Sequence, residues 1–144
     1  MRNAIGVMNK YKIFTDGGSR GNPGPAAVGV VVFNLVTNDR IHEISKCIGS
    51  ATNNIAEYLA IEAALDWVLE QSNHATIEFY LDSELVQRQL TGTYKVKNPL
   101  LREIFLRVRE KTISLGGTIA FTHVRRELNY EADALLNKAL DECR

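Results

Sequence analysis

The chain has 144 residues, 45% hydrophobic and 24% charged, and its 17 basic side chains balance 17 acidic ones. This composition is typical of one ordinary globular domain and excludes a disordered chain, while the zero net charge gives no hint of a polyanionic partner. No segment approaches the roughly 20 apolar residues of a membrane span, and Met1–Lys10 lacks the apolar run of a signal peptide. We therefore expect a cytoplasmic protein without a membrane partner. Cys47 and Cys143 are too few for a disulfide scaffold and favour a reducing compartment.

Hydrophobic periodicity and turn residues predict nine elements in the order β-β-β-α-β-α-α-β-α. In chain order, the predicted strands cover residues 10–15, 27–33, 40–48, 75–81 and 118–124, and the predicted helices cover residues 52–71, 83–90, 98–115 and 128–143. The third strand has a mixed polar and apolar face, so we place it at an edge of the sheet.

The order of these elements predicts an α/β fold and a single domain spanning residues 1–144, with a core of about 10–142. Three early strands joined by short turns should form an antiparallel meander, and the later strands should pair in parallel through right-handed crossovers. We therefore expect a mixed five-stranded sheet flanked by helices. Ligands of such sheets bind beyond the carboxyl ends of the parallel strands.

Charge is distributed unevenly along the chain. Residues 51–82 carry six acidic and no basic residues, whereas residues 83–111 carry seven basic and three acidic ones. Two interpretations stay open at this point. These segments are an acidic and a basic helix with solvated faces, or they form a basic surface for phosphates beside an acidic centre for cations.

Four acidic residues lie where the predicted fold would bring them together. Asp16 closes the first strand and Asp82 the fourth, whereas Glu57 lies near the first turn of the first helix and Asp133 in the second turn of the last. Each has a structural alternative, because turns, N-caps and helix N-termini also favour acidic side chains. Four carboxylates at one edge would repel one another, however, and Mg²⁺ is a hard cation that prefers such oxygen ligands.

Four segments of the chain resemble type 1 ribonuclease H in that family's order and spacing. They read TDGGSRGNPGP at residues 15–25, TNNIAE at 52–57, LDSELV at 81–86 and EADALLNKA at 131–139. The resemblance extends from about Tyr11 to Leu140, and its first segment is long and specific. It implies a ribonuclease H-like fold. Many relatives carry a basic helical protrusion where this chain passes directly from Gly92 to Pro99, so the chain is similar to the shorter, archaeal-type members.

The resemblance implies that Asp16, Glu57, Asp82 and Asp133 are catalytic and bind two Mg²⁺ ions, with Mn²⁺ as a substitute. The implied reaction is hydrolysis of the RNA strand of RNA–DNA hybrids, leaving 5′-phosphate and 3′-hydroxyl ends. Double-stranded RNA stays open as a further substrate, and we expect a monomer. The alternatives are a non-catalytic module that binds hybrid or duplex RNA, and a DNA-processing nuclease of the same fold.

The resemblance also implies several groups that contact the substrate. Gly17 would let the backbone approach closely. Asn22, Asn53, Asn54 and Ser83 would hydrogen-bond ribose or base edges, since the 2′-hydroxyl distinguishes RNA from DNA. Turn and cap chemistry is the alternative role for each of these residues.

Lys95 and Lys97 lie in the basic segment that stands where relatives carry the protrusion. They could contact phosphates, for example of the DNA strand. The alternative, that they are ordinary exposed lysines, stays open. Their sequence context does not separate the two interpretations.

Many members of the family have a histidine in a loop shortly before the last catalytic aspartate. Here His123 falls inside the predicted last strand, so we expect it to be a strand residue. In the archaeal-like branch an arginine can take this place. Arg126 is our candidate for the catalytic role, with Arg125 as the reserve.

Overall fold

A computed structural model describes residues 9–72 and 74–143, and the N-terminal segment in which we predict no signal peptide lies almost entirely outside this range. The elements follow the predicted order. The strands are β1 (Asn9–Ser19), β2 (Gly24–Asn34), β3 (Arg40–Ala51), β4 (Ala75–Leu81) and β5 (Ile119–His123), and the helices are α1 (Asn53–Gln71), α2 (Glu84–Leu90), α3 (Pro99–Leu115) and α4 (Tyr130–Glu142). A 3-10 turn, Arg126–Asn129, precedes α4.

The five strands form one mixed sheet in the order β3-β2-β1-β4-β5. The β1–β2 and β2–β3 pairs are antiparallel, and the β1–β4 and β4–β5 pairs are parallel. This confirms the predicted meander, the parallel crossovers and the edge position of β3. Because β1 and β4 are parallel neighbours, the residues at their carboxyl ends lie side by side.

Capping residues explain where the helices begin and end. The Thr52 hydroxyl accepts a 3.2 Å hydrogen bond from the N–H of Ile55 at the start of α1. At the start of α3, the Asn98 side chain accepts a 3.0 Å hydrogen bond from the N–H of Leu101. That helix ends at Gly116, whose φ of 68° is readily adopted only by glycine. These signals are local in the sequence, which is why the helix bounds could be predicted closely.

The apolar core lies between one face of the sheet and helices α1 and α3, while α4 covers part of the opposite face. Side chains that alternate along β2 and β4 and recur along the two helices fill this core: Val28, Val30, Val32, Ile77, Phe79, Tyr58, Ile61, Leu65, Leu101, Ile104 and Val108. On the opposite face, Leu136 and Leu140 of α4 pack against Ala27 of β2. The central strands therefore have α1 on one face and α4 on the other, and α3 packs on α1.

Two predicted positions are wrong in detail. Asp16 does not close β1, because Gly17, Gly18 and Ser19 continue to pair with β2. Asp133 lies in the first turn of α4 rather than the second, because the 3-10 turn takes up the residues predicted to start this helix. In both cases the element boundary differs from the prediction, but the acidic residue still lies at the predicted edge of the sheet.

The two cysteines form a disulfide between Cys47 of β3 and Cys143, which follows α4. This pair could not be predicted from the sequence, because the residues are 96 positions apart and meet only when α4 packs across the sheet. Among the described residues, no helix combines the length and the apolar composition that a bilayer crossing requires.

Candidate active site

Three of the four acidic side chains meet beside the central strands of the sheet. Asp16 of β1, Glu57 of α1 and Asp82, the residue after β4, each offer a carboxylate oxygen within 4.8 Å of the others. Asp16 and Glu57 are buried, and Asp82 is half-buried. The parallel pairing of β1 with β4 brings the two aspartates together, and the start of α1 brings the glutamate to them.

A glycine in β1 determines how closely α1 approaches. A Cβ atom at Gly17 would collide with the main-chain carbonyl of Ala56, so only glycine allows this contact between strand and helix. The Gly17 N–H donates a 2.9 Å hydrogen bond to Glu57 Oε1. This position therefore sets both the distance of α1 and the orientation of the Glu57 carboxylate.

Asp133 joins the same cavity from the start of α4. The cavity has a volume of about 360 Å³, and the carboxylates of Asp16, Glu57, Asp82 and Asp133 all line it. Asp133 lies close enough to Asp16 for its charge to help raise the pKa of the Asp16 carboxyl. A glycine again permits the approach, because a Cβ at Gly29 would collide with the backbone of α4 around Ala132. Hence the structure brings all four predicted acids together.

Two of the acids in this cavity, Asp16 and Glu57, have raised pKa values. Burial, followed by the charges of Asp82 and Asp133, raises the pKa of Asp16 to about 8. Burial, followed by the charges of Asp16 and Asp82, raises the pKa of Glu57 well above its usual value. An all-oxygen donor set whose charge is not balanced by basic side chains fits hard divalent cations such as Mg²⁺.

Arg126 is the arginine of the last connection that lines this cavity. Its guanidinium opposes the rise in the pKa of Asp16 and Glu57, although burial and the neighbouring carboxylates outweigh it. His123 is an exposed residue at the end of β5, which confirms its prediction as a strand residue. Arg125 is exposed and does not line the cavity.

Comparisons with known proteins identify the family to which this arrangement belongs. The family model described as reverse transcriptase-like matches residues 14–139. Ribonuclease HI of Halobacterium salinarum is 46% identical over 131 residues, which are 90% of this chain and 63% of that protein. The chain belongs to the type 1 ribonuclease H family. It spans 63% and 36% of the lengths of the first two curated relatives.

Solved structures of ribonuclease H proteins support the same assignment. LC11-RNase H1, isolated from compost by a metagenomic approach, is 42% identical with a TM-score of 0.87, covering 94% of this chain and 98% of that one. The structure of LC11-RNase H1 in complex with an RNA/DNA hybrid is 40% identical with a TM-score of 0.86, covering 92% and 97% of the two chains. The resemblance found in the sequence is therefore confirmed.

The three predicted asparagines lie beside the acidic cavity. Asn22, Asn53 and Asn54 line a neighbouring cavity of about 550 Å³, and Asn53 lines the acidic cavity as well. The Asn53 N–H donates a 2.9 Å hydrogen bond to Asn22 Oδ1, and Asn53 Oδ1 accepts a 2.9 Å hydrogen bond from the Ser19 N–H. The side-chain oxygens of Asn22 and Asn53 thus hold the end of β1 and the turn that follows it against the start of α1.

Ser83 has the structural role that the sequence left open for it. Its hydroxyl accepts a 3.2 Å hydrogen bond from the N–H of Val86 and so caps α2. The residue is half-buried and directly follows Asp82. This cap therefore holds the backbone next to Asp82, the residue that lines the cavity.

Lys95 and Lys97 lie away from the four carboxylates. They line a separate groove of about 680 Å³ between α2 and α3, which also contains Arg102, Arg109 and the exposed ring of Tyr94. Neither lysine forms an ion pair with any carboxylate in residues 9–72 and 74–143. The structure therefore gathers basic side chains at a second location rather than at the acidic cavity.

Asn129 is a residue beside the site that sequence reasoning missed. It is fully buried at the end of the 3-10 turn, and its Nδ2 donates to the Thr15 carbonyl at 2.9 Å and to Asp82 Oδ2 at 3.2 Å. The sequence shows only that the residue stands four positions before Asp133, and an ordinary helix cap could have the same type and spacing.

Proposed function

We propose that this protein is a metal-dependent endoribonuclease that hydrolyses the RNA strand of RNA–DNA hybrids. The observation that carries the proposal is a single cavity lined by four acidic residues, two of which have pKa values raised by burial and by the charges of the neighbouring carboxylates. Membership of the type 1 ribonuclease H family and similarity to LC11-RNase H1, which has been solved with an RNA/DNA hybrid, support this substrate.

Asp16, Glu57, Asp82 and Asp133 are the residues that would hold two Mg²⁺ ions, or Mn²⁺ in their place. When bound, two divalent cations would activate a water molecule and stabilise the leaving 3′ oxygen, giving 5′-phosphate and 3′-hydroxyl products. The carboxylates supply oxygen ligands whose mutual repulsion in the free protein favours cation binding. Arg126, at the rim, would offset negative charge near the scissile phosphate.

Substrate contacts would extend from the acidic cavity to the asparagine cluster. Asn22, Asn53 and Asn54 present amide groups at the adjoining cavity. Gly17 has no side chain, so its backbone packs directly against α1 beside the carboxylates. Amide groups suit recognition of ribose 2′-hydroxyls without a base sequence preference. Ser83 would contribute beside Asp82, in addition to capping α2.

The basic groove would contact phosphates at a distance from the reacting bond. Lys95 and Lys97 are exposed cations without a partner carboxylate among the described residues, and Arg102 and Arg109 line the same groove. Phosphate contacts of this kind position a duplex and contribute affinity that depends on salt. They would take the place of the basic protrusion of longer relatives.

The decisive experiment incubates labelled RNA–DNA, RNA–RNA and DNA–DNA duplexes with the protein in Mg²⁺, Mn²⁺ or a chelator, and maps the product ends. We expect cleavage of the RNA strand of the hybrid, with 5′-phosphate ends, only when a divalent cation is present. The matched variant Asp82→Asn should bind the hybrid without cutting it. Equal cutting of DNA–DNA duplex by the unaltered protein would contradict the proposal and favour a DNA-processing nuclease.

A non-catalytic binding module of the same fold is the second candidate. It predicts hybrid binding that is equal in the native protein and in Asp82→Asn, with no cleavage by either. We disfavour it, because a module that only binds polyanions has no use for four carboxylates beside the phosphates. Cleavage of RNA–RNA duplex in the same assay would decide whether double-stranded RNA is a further substrate.

Three broader proposals complete this assignment. We propose that residues 1–144 form a single ribonuclease H-like domain, that it acts as a monomer, and that it works in the cytoplasm. Light scattering at increasing protein concentration tests the second point. Thiol alkylation in freshly lysed cells tests the third, because a protein from a reducing compartment would present Cys47 and Cys143 as thiols unless their pairing resists reduction.

A further inference from the structure

Asn129 is a buried polar residue with an incomplete set of hydrogen bonds. It has no exposed surface, and its Oδ1 has no hydrogen-bond partner within the described ranges 9–72 and 74–143. An unpaired buried polar atom costs about 1–3 kcal/mol, which the two hydrogen bonds of the amide nitrogen offset. The side chain is therefore held by its amide nitrogen alone.

The two bonds that Asn129 does make connect three segments of the acidic cavity. Its amide nitrogen reaches the carbonyl of Thr15, which precedes Asp16, and the carboxylate of Asp82. Asn129 itself lies one helical turn before Asp133. A single side chain thus touches or adjoins the segments that carry three of the four carboxylates.

This amide acts where the main chain no longer holds the two strands together. The ladder between β1 and β4 ends at the pair Phe14 and Tyr80. Beyond that pair, the side chain of Asn129 bridges the Thr15 carbonyl and the Asp82 carboxylate. The relative position of the two strand ends therefore depends on this residue.

We propose that Asn129 is a positioning residue that orients Asp82 for divalent cation binding and fixes the start of α4 beside it. The proposal rests on the function proposed above. The hydrogen bond to Oδ2 occupies one oxygen of the Asp82 carboxylate and directs the other oxygen for a ligand role. Mg²⁺ demands close to octahedral geometry, so a carboxylate that rotates freely would bind it less well. Outer-shell partners of metal ligands commonly contribute about 10–100-fold in affinity.

The test is Mn²⁺ binding to the free protein, measured by electron paramagnetic resonance or calorimetry without substrate. We expect Asn129→Leu, which keeps the number and branching of the side-chain heavy atoms, to bind Mn²⁺ about tenfold more weakly than the native protein. Gln89→Leu is the matched control, because Gln89 is a buried amide whose bonds go to Tyr58 and the Lys95 carbonyl, away from the acidic cavity. It should lower stability without changing Mn²⁺ affinity.

A second readout separates positioning from simple destabilisation. In the cleavage assay, the Mg²⁺ concentration for half-maximal rate should rise about tenfold in Asn129→Leu, and the rate at saturating Mg²⁺ should recover to near the native value. Should Asn129→Leu fail to fold by circular dichroism, Asn129→Ala makes the same measurement. Native Mn²⁺ affinity in the folded variant would overturn the proposal for Asn129. Native affinity in Asp16→Asn would instead overturn the metal site itself.

Discussion

Two buried glutamates on the same helix have pKa values shifted in opposite directions by their neighbours. Glu57 and Glu62 of α1 are 8% and 7% exposed. Glu62 accepts hydrogen bonds from Arg107 at 2.7 and 2.8 Å and from Lys111 at 2.8 Å, and these cations lower its pKa. Glu57 faces other carboxylates, and burial together with their charge raises its pKa.

The difference distinguishes a structural carboxylate from one that needs a partner from outside the chain. The charge of Glu62 is balanced by α3, so this pair of helices is complete within the protein. The charge of Glu57 is not balanced in this way, and a divalent cation would do so. A buried carboxylate therefore indicates a binding site only where no basic side chain of the protein pairs with it.

The largest expected effect is a difference in cleavage rate between variants of the two glutamates. Glu57→Gln should lower the rate of hybrid cleavage by at least about 100-fold, because metal ions stabilise the transition state by several kcal/mol. Glu62→Gln, its control on the same helix, should stay within about threefold of native, as its partners lie on α3. A similar loss in both variants would show that α1 geometry, and not the acidic cavity, limits the reaction.

Arg126 is the basic residue that lines the acidic cavity, as Arg107 is the one that pairs with Glu62. Arg126 is exposed, and it lowers the pKa of Glu57 less than burial and the neighbouring carboxylates raise it. We expect Arg126→Ala to lower turnover about tenfold, since it removes a cation beside the reacting phosphate. His123→Ala should matter less, because His123 lies at the end of β5 outside the cavity lining. Turnover measured at saturating Mg²⁺ ranks the two, and the reverse order would refute this role for Arg126.

Stability should respond in the opposite direction to activity. Glu62→Gln should lower the free energy of unfolding by about 1–2 kcal/mol, because it removes charged hydrogen bonds whose cationic partners are partly exposed. Glu57→Gln in chelator should leave it unchanged or raise it, since a buried charge near other charges is removed. Urea unfolding at pH 8 measures both. A loss in Glu57→Gln matching that of Glu62→Gln would contradict this comparison.

The pH dependence of the cation-free protein follows from the raised pKa of Asp16. In the unfolded chain this group titrates near 3.8, and in the folded protein near 8, so between these values the folded state binds more protons. Stability should therefore fall as the pH rises from about 5 to 8, by at least about 1 kcal/mol. Urea unfolding in chelator checks this, with Asp16→Asn as the control that should reduce the slope, because only Glu57, whose pKa is also raised, then contributes to it. A native profile that is flat in chelator would show that Asp16 is not protonated there.

The smallest expected effect is on hybrid binding by Lys95 and Lys97, which form no ion pair with a carboxylate among the described residues. Replacing Lys95 and Lys97 by Ala should weaken hybrid binding several-fold and reduce the slope of log K against log salt by about 1–2. Replacing Arg107, which Glu62 already engages, should leave that slope unchanged. Binding is best measured with Asp82→Asn as the background, so that cleavage does not interfere. An unaltered slope in the double variant would show that these lysines touch no phosphate.

Local signals account for most of what could be predicted from the sequence. The caps at Thr52 and Asn98, the alternation in β1 and β3 and the continuous apolar run of β2 are properties of short segments, and they placed the elements correctly. The convergence of four acids could be predicted because strand order brings their segments to one edge. The resemblance to type 1 ribonuclease H then supplied the function that the acids alone left open.

Tertiary contacts account for what could not be predicted. The pairing of Glu62 with α3 depends on how two helices cross, and the role of Asn129 depends on where the β1–β4 ladder ends. Asp16 was placed at the end of β1 because its two following glycines looked like a turn, whereas they extend the strand and admit α1. Each error concerns partners distant in sequence, for which periodicity carries no information.

The Cys47–Cys143 bond closes most of the chain into a covalent ring. Glu57, Asp82 and Asp133 lie on that ring, and Asp16 lies on the free arm that precedes it. A protease that cuts once in the exposed segment between α2 and α3 would open the ring without releasing either half. The nicked protein would keep its full mass on a gel until a reductant separates the fragments.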